Sequence, residues 1–281
     1  MRNLRLVIAY DGTDFAGWQR QPGRLTVQAS IEEAIKKILR VEVSLTGSGR
    51  TDAGVHSLNQ VANFKTAASI PCSNLLKALN DHLPATIRVK EVAEAPLSFH
   101  ARHDASAKTY VYRILRTAIA SPFASRYAFH YPYPLDPERM AEAARLFEGC
   151  HDFTSFASIE PASAEDKASW DESGRPTDRR EVKVTPGDSK ASLEKGRQRS
   201  MLRVIYSSRI RWHARNSILA YKVRGNGFFY HMVRAMAGTL LEVGSGKRAP
   251  SEIAAILAAR DRSCAGISAP ARGLALVRVD Y

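Results

Sequence analysis

The chain has 281 residues, 44% hydrophobic and 25% charged, which at about 150 residues per domain gives two domains or one large one, with a core that needs neither disulfides nor metal. This composition excludes wholesale disorder, collagen-like repeats and coiled coils, and no run approaches the ~18 uncharged apolar residues of a membrane span. Forty-one Lys and Arg against twenty-eight Asp and Glu leave a net charge of +13, a field that steers the chain toward polyanions, nucleic acid first.

Leu4, Leu6, Ile8 and Tyr10 alternate with other residues ahead of Asp11-Gly12, which predicts a strand running into a turn. Arginines inside that alternation distinguish it from a secretory leader. Thr26 then caps a helix whose Val27, Ile31, Ala34, Ile35, Ile38 and Leu39 share one face. Short β-rich runs follow at 41–45 and 60–64, then a brief helix at 74–80, a strand at 87–93, and a strand at 109–115 with Tyr110, Tyr112 and Ile114 on one face.

The second half repeats this order. Asp136-Pro137 starts a helix with Met140, Ala144 and Phe147 as its apolar stripe before Gly149. Two β-rich runs at 202–213 and 218–223 lead into a helix at 228–243 bearing Met232, Val233, Met236, Leu240 and Leu241. A capped helix at 251–259 and a strand at 274–280 complete the chain. Because strands and helices do not alternate as regular βαβ units, the expected class is α+β with a largely antiparallel sheet. The expected halves are 1–125 and 126–281, meeting near 121–133. The Ser-, Asp-, Glu- and Lys-rich stretch 160–199, with Pro161, Pro176 and Pro186, is expected to be a flexible insertion.

Charge distribution sharpens the expectation of a nucleic-acid partner. Residues 195–241 hold ten basic side chains and no Asp or Glu, and 105–135 hold four and again none. Both stretches are interleaved with Tyr and Phe, a pattern suited to phosphates and stacked bases. Cys72, Cys150 and Cys264 form no close pair, so neither a disulfide framework nor a zinc knuckle is expected, and a reducing cytoplasm fits. His100 and His103 have no Cys partner, which makes structural or RNA-contact roles the better reading than metal ligation. Trp18 reads as a packed loop anchor, with Arg20 beside it available to RNA.

The densest chemical constellation is 47–56, GSGRTDAGVH. Gly47, Gly49 and Gly54 let the backbone approach a ligand closely. Gly49 and Gly54 have the spacing of a phosphate loop, but Val55-His56 replaces the Lys-Ser/Thr that must follow, so that reading is rejected. Taken alone, the loop would be a tight turn with a surface ion pair.

GRTDAGVH, with YDGTDFAGWQRQ (10–21), FHARHDASAKTYVYRI (99–114), HDFTSF (151–156) and GNGFFYHMVRAMAGTLLEVG (225–244), resembles the TruA family of tRNA pseudouridine synthases. The resemblance implies two similar halves with a joined sheet, helices on one side and an active-site cleft between the halves. It implies isomerisation of uridine at nucleotides 38, 39 and 40 of the tRNA anticodon stem-loop, by a cytoplasmic homodimer, without metal or cofactor. By resemblance, Asp52 is the essential aspartate and Arg50 assists flipping of the nucleotide. Tyr110 packs on the base, Arg234 pairs with the aspartate, and Leu274 lines the pocket. His56 and Asn226, inside the motifs, are expected to support the substrate site, as is Arg20. The rival readings are an RNA- or base-hydrolysing enzyme using Asp52 as nucleophile, and a non-catalytic RNA-binding module, for which an aspartate beside an arginine has no use.

Overall fold

The amino-terminal alternation becomes strand β1 (Arg2–Tyr10), which buries Leu4, Leu6, Ile8 and Tyr10. These and the other contacts come from a computed structural model that describes residues 1–158 and 200–281. Helix α1 (Val27–Leu39) starts where the Thr26 hydroxyl accepts from the Ala29 N–H at 3.4 Å, and stops at Arg40, whose φ of 59° cannot continue a helix. In chain order there follow β2 (Thr46–Gly47), β3 (His56–Thr66), α2 (Cys72–His82), β4 (Ile87–Ala95), β5 (Ala107–Leu115), α3 (Pro122–Ser125) and β6 (Phe129–His130). Then come α4 (Pro137–Arg145), β7 (Gly149–Asp152), β8 (Leu202–His213), β9 (Ile218–Gly225), α5 (Met232–Gly244), α6 (Glu252–Ala259) and β10 (Leu274–Asp280).

The strands form one sheet in the order β4-β1-β3-β10-β5-β9-β8-β7, with β2 beside β3 and β6 beside β5. Pairing is antiparallel except at β3–β10 and β5–β6. Tyr10 lies opposite Ser57, Ser57 opposite Leu276, Leu276 opposite Tyr110 and Tyr110 opposite Val223. Directly opposed residues share a face, so this row runs across one side of the sheet.

Two apolar clusters cover that side. Leu4, Leu6 and Ile8 pack with Val27, Ile31 and Ile35 of α1 and Leu75 and Leu79 of α2. Tyr112, Tyr221 and Leu219 pack with Met140 of α4, Met232, Met236 and Leu240 of α5, and Ile253 of α6. The helices therefore lie on one side of a mixed, mostly antiparallel sheet, as the α+β expectation has it. Each fully buried aliphatic or aromatic side chain in these clusters contributes roughly 1.5–3 kcal/mol.

Three local expectations are corrected. Residues 41–45 form no strand; the Leu45 N–H donates to Glu32 Oε1 and its carbonyl accepts from Gln28 Nε2, both at 3.0 Å, so side chains of α1 take the bonds a sheet would have supplied. Helix α5 begins at Met232, not at residue 228, because His231 adopts the left-handed region at φ 58° and breaks the helical path. Ser251 does not cap α6 with its side chain; Glu252 instead reaches back to accept from the Ala249 N–H at 2.6 Å. The expected insertion at 160–199 lies outside the described residues.

Candidate active site

The loop from Ser48 to Val55 hangs on the inner face of the sheet and is fastened from every side. The Ser48 N–H donates to Val61 O at 2.7 Å, the Ser48 hydroxyl to Gln60 Oε1 at 2.6 Å, and Gln60 Nε2 to Gly49 O at 2.9 Å. Thr51 O accepts from the Trp18 N–H at 3.0 Å, while the hydroxyls of Thr51 and Tyr10 share a buried bond of 2.8 Å. Gly54 turns the chain at φ 75°, and the Val55 N–H closes the turn onto Asp52 O at 3.1 Å. The opposing loop packs against it so closely that a Cβ on Gly12 would sit 2.0 Å from Val55 O.

Asp52 projects from this turn toward α5. Its Oδ2 lies 3.5 Å from Arg234 Nη1 and 3.6 Å from His231 Nε2, with all three side chains less than one-fifth exposed. Arg234 is aimed from behind: its Nε donates to Ala269 O at 2.8 Å, and its own carbonyl accepts from the Ala269 N–H at 2.9 Å. His231 stays neutral, because burial first, then repulsion from Arg234 and Arg262, holds its pKa at about 3. The His231 contact is thus a polar approach to the carboxylate and not an ion pair.

Tyr110 is buried on β5, edge-on to Phe228 with ring centroids 5.2 Å apart. The Asp52 charge reaches the hydroxyls of both Tyr110 and Tyr10, and burial raises both phenols far above their ordinary range. Leu274, the first residue of β10, is buried opposite Tyr112 in the same apolar cluster. Asp52, Arg234, Tyr110 and Leu274 thus come from four distant segments to one region of the inner face.

The other expected site residues are placed differently. Arg50 is exposed on the Asp52 loop. His56 is buried, its Nδ1 accepting from the Gly12 N–H at 3.1 Å and its Nε2 3.2 Å from Arg272 O, a pattern that fits a neutral ring protonated at Nε2. Burial lowers its pKa despite Asp11 Oδ1 only 3.2 Å away. With both nitrogens engaged it latches the 11–14 loop to the turn before β10. Arg20 is exposed and lies 3.3 Å from Glu32 Oε2. Asn226 is also exposed; it is tied to β8 by two bonds of 3.0 Å with the Val204 backbone. Trp18 is buried against Gly47, where a Cβ would meet the indole at 2.6 Å, as expected of a loop anchor.

Sequence reasoning missed His231 and Phe228. The non-glycine left-handed residue that ends the β9–α5 connection gives no local sequence pattern beyond the mild tolerance of His for that conformation. His100 Nδ1 accepts from the N–H groups of Arg102 and His103 at 3.2 Å, a turn-forming role. Among the described residues no three His, Cys, Asp or Glu side chains gather as a metal site, and no helix is long and apolar enough to cross a membrane.

A family model described as tRNA pseudouridine synthase matches residues 6–104 and 188–281. The "tRNA pseudouridine synthase A" of Caldicellulosiruptor bescii is 41% identical over 281 residues, covering 100% of both chains. Those of Solibacter usitatus and Halalkalibacterium halodurans are each 42% identical, covering 100% of both chains in the first case and 98% of this chain and 90% of the relative in the second. With the Asp52 loop, its facing arginine and the one-sided α+β sheet in place, this similarity over the whole length makes the chain a member of the TruA family of tRNA pseudouridine synthases.

Proposed function

We propose that this pseudouridine synthase isomerises uridine at nucleotides 38, 39 and 40 of the tRNA anticodon stem-loop, with Asp52 as the catalytic carboxylate. The observation that supports the assignment is the approach of Arg234 Nη1 to Asp52 Oδ2 at 3.5 Å, from two segments distant in the chain. Uridine must lose its N1 glycosidic bond, turn the detached uracil and rejoin it through C5. A carboxylate serves that sequence by adding to the sugar or the base, or by taking the 2′ proton. Each route needs it ionised, and a guanidinium held beside it favours that state.

Tyr110 offers a flat ring against which uracil can turn, and Phe228, edge-on behind it, fixes the ring's tilt. Leu274 contributes apolar surface that keeps water from a reactive intermediate. A stem nucleotide must flip out to reach Asp52, at a cost of a few kcal/mol. Arg50 is exposed on the same loop, and the family resemblance supports its taking the vacated position. The family resemblance supports a cytoplasmic homodimer holding one tRNA across both subunits. Purified protein incubated with tRNA transcripts, followed by pseudouridine mapping, is expected to show modification at 38–40 and nowhere else. Free uracil or shortened RNA would favour hydrolysis instead.

A further inference from the structure

Lys108 stands two residues before Tyr110 on the same face of β5, and the proposed chemistry leaves it unused. It lies opposite Gly225 on β9, and a Cβ on Gly49 would come within 3.0 Å of its Nζ. Glycine at position 49 keeps a side chain off the ammonium beside the loop that carries Asp52, whereas the space over Gly225 is filled by Ile205, the Val204 carbonyl and Phe228. Among the described residues that ammonium makes no hydrogen bond or ion pair. Arg102 and Arg203 both act on it as like charges, and no carboxylate offsets them. Arg203 is held in place, its guanidinium 3.8 Å over the Phe229 ring and its Nη1 donating to Leu202 O at 2.7 Å. Arg102 is exposed within the loop that joins β4 to β5.

Like charges acting on one partly buried ammonium carry an electrostatic cost that a bound anion offsets. We propose that Lys108, with Arg102 and Arg203, forms a phosphate-binding subsite that holds the RNA backbone beside the nucleotide reacting at Asp52. The inference rests on the tRNA-modifying reading above and assigns Lys108 a positioning role. Burial first, then the two arginines, lowers the Lys108 pKa to about 8, so phosphate at this site is expected to raise it again.

The test combines two measurements on the full chain. Lysine side-chain NMR follows Lys108 through a titration with inorganic phosphate, and tRNA affinity is measured against salt for wild type, Lys108→Gln and Lys108→Arg. Phosphate should raise the Lys108 pKa; Lys108→Gln should lower the slope of log K against log salt by roughly 0.7–0.9, one phosphate contact, and Lys108→Arg should restore it. Single-turnover conversion at saturating tRNA should stay within about threefold of wild type. An unchanged slope in folded Lys108→Gln, or a Lys108 signal indifferent to phosphate, overturns the subsite. Loss of single-turnover rate at saturation with unchanged affinity overturns it too, in favour of proton transfer. If wild type forms no pseudouridine while Lys108 still answers to phosphate, the functional reading fails and the anion site stands.

Discussion

Arg234 reaches Asp52 with one nitrogen while another is bound to Ala269 O, so the turn before β10 sets where the guanidinium meets the carboxylate. The planar fork makes this division possible, since a lysine has no second nitrogen to anchor. Arg234→Lys is therefore expected to keep the fold and tRNA affinity but to lower single-turnover rate by about 10²-fold or more, the scale of losing an aligned electrostatic partner. Rate retained within a few fold would show that charge alone, and not its aim, is what the site needs.

For Asp52 the expectation is starker. Asp52→Asn preserves size and the turn, whose closing bond is made by the backbone, yet removes the group that adds or takes a proton. Pseudouridine formation should vanish while tRNA affinity stays within about threefold, because binding rests on many phosphate contacts. Substantial turnover by clean mutant protein would displace Asp52 from the centre of the mechanism.

Local chemistry was legible in the sequence where a residue's role depends on its neighbours along the chain. The GRTDAGVH loop, the Thr26 and Asp136 caps and the alternation of β1 all fall in this class. What escaped depends on partners far away. β10 reads as a strand anywhere, but its place between β3 and β5, parallel to the first and antiparallel to the second, is decided by tertiary packing. The acid-free run 195–241 is not acid-free in space: Arg209 pairs with Glu148 and Arg224 with Asp280 at 3.0 Å. Those two arginines are thus weaker candidates for RNA contact than composition suggested. His231 joins the site only because the chain turns left-handed just before α5.

The two buried histidines give stability a pH dependence with a definite sign. His56 and His231 are neutral in the folded chain because burial lowers both pKa values, His231 to about 3. Once unfolded, each takes up a proton near pH 6.5, so the unfolded state binds more protons below that pH and stability falls as pH drops. Tm should decline from about pH 7 toward pH 5, and His56→Gln should flatten the decline even where it lowers Tm at neutral pH. The second window lies lower. Burial pushes the Asp11 carboxyl up, but hydrogen bonds from Thr13, Arg126 and Tyr127 prevail and hold it at about 2, so its contribution is lost only below roughly pH 4. A Tm constant from pH 7 to 5 would mean that the histidines are already protonated in the fold.

Gly12 is the last position where geometry dictates an outcome. A methyl group there would meet Val55 O at 2.0 Å and Val55 C at 2.6 Å. Both are backbone atoms of the Asp52 loop, which cannot yield as a flexible side chain would. Gly12→Ala must therefore push the two loops apart or strain them, and overpacking of this kind costs about 1–3 kcal/mol. The same movement displaces the Asp52 turn from Arg234, and misplacement by about 1 Å at a reacting centre is worth 10²-fold in rate. The variant should show a lower Tm together with a larger loss of single-turnover rate than of tRNA affinity. Gly23 has a positive φ of 69° and a Cβ there meets nothing within 4 Å, whereas Gly12 has no positive φ; Gly23→Ala thus shows what backbone strain alone does, without a clash. If Gly12→Ala and Gly23→Ala lower activity equally, the close approach at Val55 is not what positions the catalytic loop.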